Sequence, residues 1–184
     1  MSKKIYLIRH AKAEGQPFGA PLTSEGREQA EKLIPFFKGR ELNRIISSPF
    51  MRAVETIRPL ALHRGLPIEQ DARLAERVLS STMHDNWKEL LKHSFLDMDS
   101  VLEGGESNSA ALLRVESLLN ELILTEEKAI ALVSHGNLST LMLHYFDRSF
   151  GYDELMRMTN PDVFEINVTN ESAAIERIWQ DIQE

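Results

Sequence analysis

The chain has 184 residues, 42% of them hydrophobic and 27% charged, the balance of an ordinary globular protein and enough for one domain over residues 1–184 with one sizeable core. A net charge of -7 argues against a nucleic-acid-binding face, and no apolar run approaches the ~20 residues that span a bilayer, so neither nucleic acid nor membrane is expected as a partner. The absence of cysteine excludes disulfides, thiolate metal sites and cysteine nucleophiles. It fits a cytoplasmic setting, and the start of the chain is too short and too charged for a signal-peptide core.

The first apolar run, Lys4-Ile5-Tyr6-Leu7-Ile8, predicts a strand that ends in Arg9-His10-Ala11. A loop rich in Gly and Pro covers Gly15 to Pro21. Thr23-Ser24-Glu25-Gly26 then reads as a helix start, with Ala30, Leu33, Ile34 and Phe37 following at helical spacing. Asn43 to Ser47 predicts a second strand. Ser48-Pro49 opens a helix with Ala53, Val54, Ile57 and Ala61 on its inner face. Residues 66–78 read as a short strand and loop, and 85–93 as a helix. Gly104-Gly105-Glu106-Ser107 interrupts the chain before a helix with Leu112, Val115, Leu119 and Leu122 on one side. Residues 129–133 are apolar throughout, as in a strand covered on both faces, and a helix follows from Asn137 to Phe146. Two late strands, 163–168 and 173–178, flank a turn at Asn170-Glu171. Alternating strands and helices predict a three-layer α/β/α sandwich with a mostly parallel central sheet.

The chemistry-bearing residues collect at predicted strand ends, where open α/β sheets build their sites. His10 follows the first strand beside Arg9. Ser134-His135-Gly136 ends the all-apolar strand and opens a helix, whose N–H groups and dipole favour an anion; Gly136 lets a ligand approach the backbone. Arg52 lies in the first turn after the second strand, where a guanidinium can grip phosphate with two N–H groups. Glu76, in Leu74-Ala75-Glu76, reads as a surface charge, although phosphoryl transfer from an alcohol would need a proton donor for the leaving oxygen. The remaining histidines, 63, 84, 93 and 144, have no motif around them and read as surface or packing residues. Trp87 and Phe95 read as core in preference to the lining of a substrate mouth, Thr23 as a cap and Glu106-Ser107 as a helix start. Lys12 reads equally as a collector of anions or as a solvated charge.

Arg9-His10, Ser47-Ser48-Pro49 with Arg52-Ala53-Val54-Glu55-Thr56, Leu74-Ala75-Glu76, Gly105-Glu106-Ser107 and Ser134-His135-Gly136 occur in one order. Together they resemble the histidine phosphatase superfamily, the phosphoglycerate mutase-like proteins, and within it the broad-specificity phosphatases. The resemblance implies that His10 is the nucleophile that becomes phosphohistidine. It implies that Arg9, Arg52 and His135 complete the phosphate pocket, and that Glu76 protonates the leaving group and then helps to activate water. Neither metal nor cofactor is expected, and the implied substrate is a small phosphorylated metabolite. Positive neighbours oppose protonation of an imidazole, which keeps it nucleophilic near neutral pH.

The match departs from the family in two places. Ala11 stands where the family usually has Gly, which narrows the room beside a phosphate unless the backbone accepts a methyl. The following segment lacks the usual Asn, with Gln16 as a substitute phosphate donor. Chain length favours a phosphatase over a mutase, whose added segments shield the phosphoenzyme from water. A protein phosphohistidine phosphatase and a non-catalytic phospho-ligand-binding module are also compatible with these motifs. The retained nucleophile and acid weigh against the module.

Overall fold

Runs of apolar and β-branched residues form six strands: β1 (Lys3–Arg9), β2 (Arg44–Ser47), β3 (Ile68–Gln70), β4 (Ala129–Ser134), β5 (Asp162–Val168) and β6 (Ala173–Arg177). The computed structural model, which describes residues 2–180, joins them in one sheet in the order β3-β2-β4-β1-β5-β6. β1, β2 and β3 run parallel through β4 and β2, while β5 and β6 add an antiparallel edge. The fold is therefore mixed α/β with a mostly parallel six-stranded sheet. Every residue of β4 is buried, which explains why its sequence shows no polar alternation.

Register decides what this sheet presents. Arg9 pairs with Ser134, and Ser47 with Val133. The residues that follow these strands, His10, Ser48 and His135, therefore leave the sheet at the same edge.

The described residues fall into two compact units. The first holds the sheet with α1 (Ser24–Phe36) and α2 (Met51–Arg64). Thr23 caps α1 as expected, its hydroxyl accepting the Gly26 N–H at 2.9 Å. Leu33 and Phe37 of the α1 end pack with Tyr6, Ile8, Ile45, Ala131 and Val133 of the sheet and with Ala53, Ile57 and Leu60 of α2. α2 begins later than Ser48-Pro49 suggests: Pro49 precedes it, Phe50 is the N-cap, and Gly65 ends it in a left-handed conformation at φ 63°. Its inner face also differs from the apolar pattern. Arg52 and Thr56 are buried with Ala53, Ile57, Leu60 and Ala61, while Val54 is only half-buried.

The second unit comprises Glu76–Thr125 and Gly136–Met158. It contains α3 (Trp87–Leu96), α4 (Asn108–Ile123), α5 (Gly136–Phe146) and α6 (Tyr152–Arg157). Ser107 caps α4 by accepting the Ala110 N–H at 3.0 Å, and Glu106 grips Arg114 through two bonds of 2.8 Å. Arg77 is buried here. It donates to the Glu106 carbonyl at 2.7 Å and to the Ser94 hydroxyl at 3.3 Å, and burial lowers its pKa. The core reading of Trp87 is corrected: the ring is exposed, beside the Lys88 ammonium. No helix among the described residues is long and apolar enough to cross a membrane.

One glycine of α1 is required by close approach. A Cβ on Gly26 would lie 2.0 Å from the carbonyl oxygen of Lys12, in the segment just after His10. Because that neighbour is backbone, Gly26→Ala should lower stability by about 1–3 kcal/mol. Urea denaturation reads this, and an unchanged midpoint would contradict the contact.

Candidate active site

His10 is held by its backbone before its ring does anything. Its N–H donates to the Ser134 carbonyl at 3.0 Å, and its carbonyl accepts from the Asn160 side chain at 2.9 Å. The ring Nδ1 lies 2.7 Å from the carbonyl oxygen of Ala11. A carbonyl can only accept, so Nδ1 carries the proton and Nε2 presents its lone pair. Arg52 Nε donates to that lone pair at 3.2 Å. The His10 pKa is lowered to about 4: burial is the chief cause, the Ala11 hydrogen bond pulls the other way, and the charges of Arg52 and Arg9 add to the lowering. Arg9 itself is the last residue of β1 and is half-buried.

Arg52 is buried, only 1% exposed. Its Nη1 donates to the carbonyls of Gln16 at 2.8 Å and Pro17 at 3.3 Å, and its Nη2 to the side-chain oxygen of Gln16 at 3.4 Å. The guanidinium carbon lies 4.9 Å from the centre of the Phe50 ring. Gln16 is thus brought to the site as a partner of Arg52.

His135 is fully buried, with Nε2 2.8 Å from the Ser48 hydroxyl. Its ring centre is 5.2 Å from that of His10 and 5.0 Å from that of Phe50. Thr56 completes the frame: its hydroxyl donates to the Arg52 carbonyl at 2.7 Å and accepts the Ala11 N–H at 2.9 Å. Ala11 does not have a left-handed backbone, since among the described residues positive φ occurs only at glycines. Its methyl is buried with Leu22 and Ala30, so it fills an apolar cluster beside α1.

The first unit therefore gathers His10, Arg9, Arg52, His135 and Gln16. Glu76 and Gly136 belong to the second unit. There Gly136 is the buried first residue of α5, and the Glu76 carboxylate caps that helix. It accepts the N–H groups of Asn137 at 3.1 Å and Leu138 at 2.9 Å, and that of Arg77 at 2.9 Å. Lys12 is paired with Glu25 at 2.6 Å in solvent. His63 and His93 are exposed, and His84 and His144 half-buried, in keeping with the reading of these residues as surface or packing histidines.

A sequence model described as the histidine phosphatase superfamily (branch 1) matches residues 5–181. The chain belongs to that superfamily. A probable phosphoglycerate mutase, GpmB, of Enterobacter sp. (strain 638) is 27% identical over 152 residues, covering 72% of this chain and 69% of the relative. Among solved structures, mycobacterial glucosyl-3-phosphoglycerate phosphatase superposes with a TM-score of 0.79 at 20% identity, covering 96% of this chain and 98% of the other. YhfR of Bacillus stearothermophilus gives 0.76 at 24% identity, with coverage of 95% and 96%. A variant of Entamoeba histolytica phosphoserine phosphatase in complex with phosphoserine gives 0.76 at 22% identity, with coverage of 94% for each chain. These likenesses establish the shared fold.

Against that histidine phosphatase background, sequence reasoning misses Ser48, Thr56, Phe50 and Asn160. The first three lie inside the Ser47–Thr56 segment, in which the pattern singles out only Arg52; a hydroxyl at each end of the motif is the available signal. Asn160 has none, because it reaches His10 from 150 residues away.

The fixed ring predicts a particular titration. His10 should remain the Nδ1–H tautomer through neutral pH and gain a proton only near pH 4. Because folding lowers this pKa, its contribution to stability is complete above the ordinary histidine value of 6.5 and declines as pH falls toward 4. Nitrogen-15 NMR of the His10 ring measures both features. An Nε2–H tautomer, or a midpoint near 6.5, would contradict the geometry.

Proposed function

We propose that the protein is a metal-independent phosphatase that hydrolyses small phosphorylated metabolites through a phosphohistidine on His10. The observation that carries this reading is the His10 ring, with Nδ1–H committed to Ala11 and the Nε2 lone pair facing Arg52. Membership of the superfamily supports it. The substrate's phosphate oxygens take up N–H groups of Arg52 and the charge of Arg9, with His135 completing the pocket. Gly136 and Gln16 are assigned further phosphate contacts. Cations at such a site stabilise charge on the equatorial oxygens, which is the main work in phosphoryl transfer.

In the first step Nε2 forms a bond to phosphorus as the bond to the alcohol oxygen breaks. The alcohol leaves with a proton from the Glu76 carboxyl group, a role assigned by its place in Leu74-Ala75-Glu76. In the second step water attacks phosphorus, its proton passes to the Glu76 carboxylate, and the P–N bond breaks to release inorganic phosphate. The proton on Nδ1 stays in place throughout. It makes the phosphorylated ring cationic, hence a good leaving group, and the Ala11 carbonyl stabilises that charge. Division into two steps through a covalent intermediate lowers each barrier.

The sequence relative favours a second reading, a phosphoglycerate mutase, in which the phosphoryl group returns to a second hydroxyl instead of water.

The protein should hydrolyse p-nitrophenyl phosphate in the presence of EDTA, and His10→Ala should reduce turnover by about 10⁴-fold or more, as expected for loss of a nucleophile. Unchanged turnover in that variant would remove the mechanism. Glu76→Gln should slow alkyl phosphates by about 10²-fold or more, in the range of general acid catalysis, but p-nitrophenyl phosphate far less. Equal slowing of both classes would deny Glu76 the acid role. Efficient conversion of 3- to 2-phosphoglycerate with catalytic 2,3-bisphosphoglycerate would establish the mutase instead.

A further inference from the structure

The phosphate end of the site accounts for its charges but not for its aromatic rings. Phe18 is 59% exposed, although an aromatic ring gains by leaving water. It meets Phe50 edge-on, with ring centres 4.9 Å apart. Phe50 in turn stands against His135 and beside the Arg52 guanidinium. The two rings thus form an apolar track from the phosphate-binding residues out to solvent.

The outer ring is carried on fixed backbone. The Phe18 carbonyl accepts the Met51 N–H at 3.0 Å, and the two preceding carbonyls, of Gln16 and Pro17, accept from Arg52. The backbone that presents Phe18 is therefore tied to the same guanidinium that faces His10. A surface ring placed on an anchored loop is preorganised for contact, because little backbone freedom remains to be lost when a ligand arrives.

We propose that Phe18 and Phe50 form the subsite for the organic part of the substrate, and that it takes phosphomonoesters whose alcohol bears an aromatic ring. The proposal rests on the phosphatase reading and deepens it. Phosphate itself gains nothing from these rings. A flat ring attached two or three bonds from the phosphorus covers Phe50 and Phe18 while its phosphate stays with Arg52. Edge-to-face and offset contacts between rings favour such a group beyond the area it buries. A compact polyol phosphate leaves the rings wet and does not use them.

Binding of two unhydrolysable phosphonates separates this proposal from catalysis. Benzylphosphonate should bind the full-length protein about tenfold more tightly than methylphosphonate by isothermal titration calorimetry, in line with one aromatic contact plus its buried area. Phe18→Ser should reduce that ratio to about twofold, and Phe18→Tyr should restore it. Circular dichroism verifies that the variants are folded, which the exposure of Phe18 favours. Equal affinities in the parent protein, or a ratio that survives Phe18→Ser, would overturn the subsite and leave the phosphatase reading intact. Failure to bind either phosphonate, together with failure to hydrolyse p-nitrophenyl phosphate, would overturn both.

Discussion

A buried guanidinium organises this site. Arg52 has almost no exposure, and each part of its fork has a separate task. One edge faces the unprotonated nitrogen of His10, and the other holds the Gln16-Pro17 backbone. Its flat surface lies beside Phe50. A charge buried so deeply is tolerated only when its donors are satisfied. The carbonyls of Gln16 and Pro17 contribute to that satisfaction, so the loop is fixed by the requirement of the charge. The residue after that pair of carbonyls is Phe18. Satisfying the buried charge thus fixes the backbone that carries the exposed Phe18 ring.

The same geometry reconciles an acidic protein with an anionic ligand. The net charge is -7, yet the residues gathered around His10 in the first unit are Arg9, Arg52 and His135. Fields in a low-dielectric cleft follow the nearest charges more than the sum. The positive potential also acts on the His10 ring. It opposes protonation of His10, so the same charges keep the Nε2 lone pair unprotonated at neutral pH.

Legibility in the sequence followed the range of each interaction. β4 could be read from five successive apolar residues, and the α1 and α4 starts from Thr23 and Ser107, because these depend on local pattern. His10 and His135 stand out in short motifs at strand ends that the sheet then aligns, and Arg52 in the motif that opens α2. What escaped depended on partners distant in sequence. Thr56 looks like a helix-face residue until its hydroxyl meets Ala11, and Asn160 acquires meaning only from the carbonyl of His10. Glu76 was legible as a carboxylate in a motif, but its capping of α5 was not. α6 has only six residues, too few for a helical period to stand out. Ala11 illustrates the converse: the sequence identified it as a departure, and the backbone conformation with the Leu22-Ala30 cluster explains why it fits.

The fourfold tethering of His10 bears on how the proposed reaction can move. Both of its backbone polar groups and both ring nitrogens have partners: Ser134, Asn160, Ala11 and Arg52. A residue tethered at four points does not travel toward its target. In the proposed transfer the imidazole is the stationary post, and the distance between donor and acceptor closes by migration of phosphorus. Progress of the proposed reaction is therefore written in the displacement of the substrate, with His10 as a fixed point of reference.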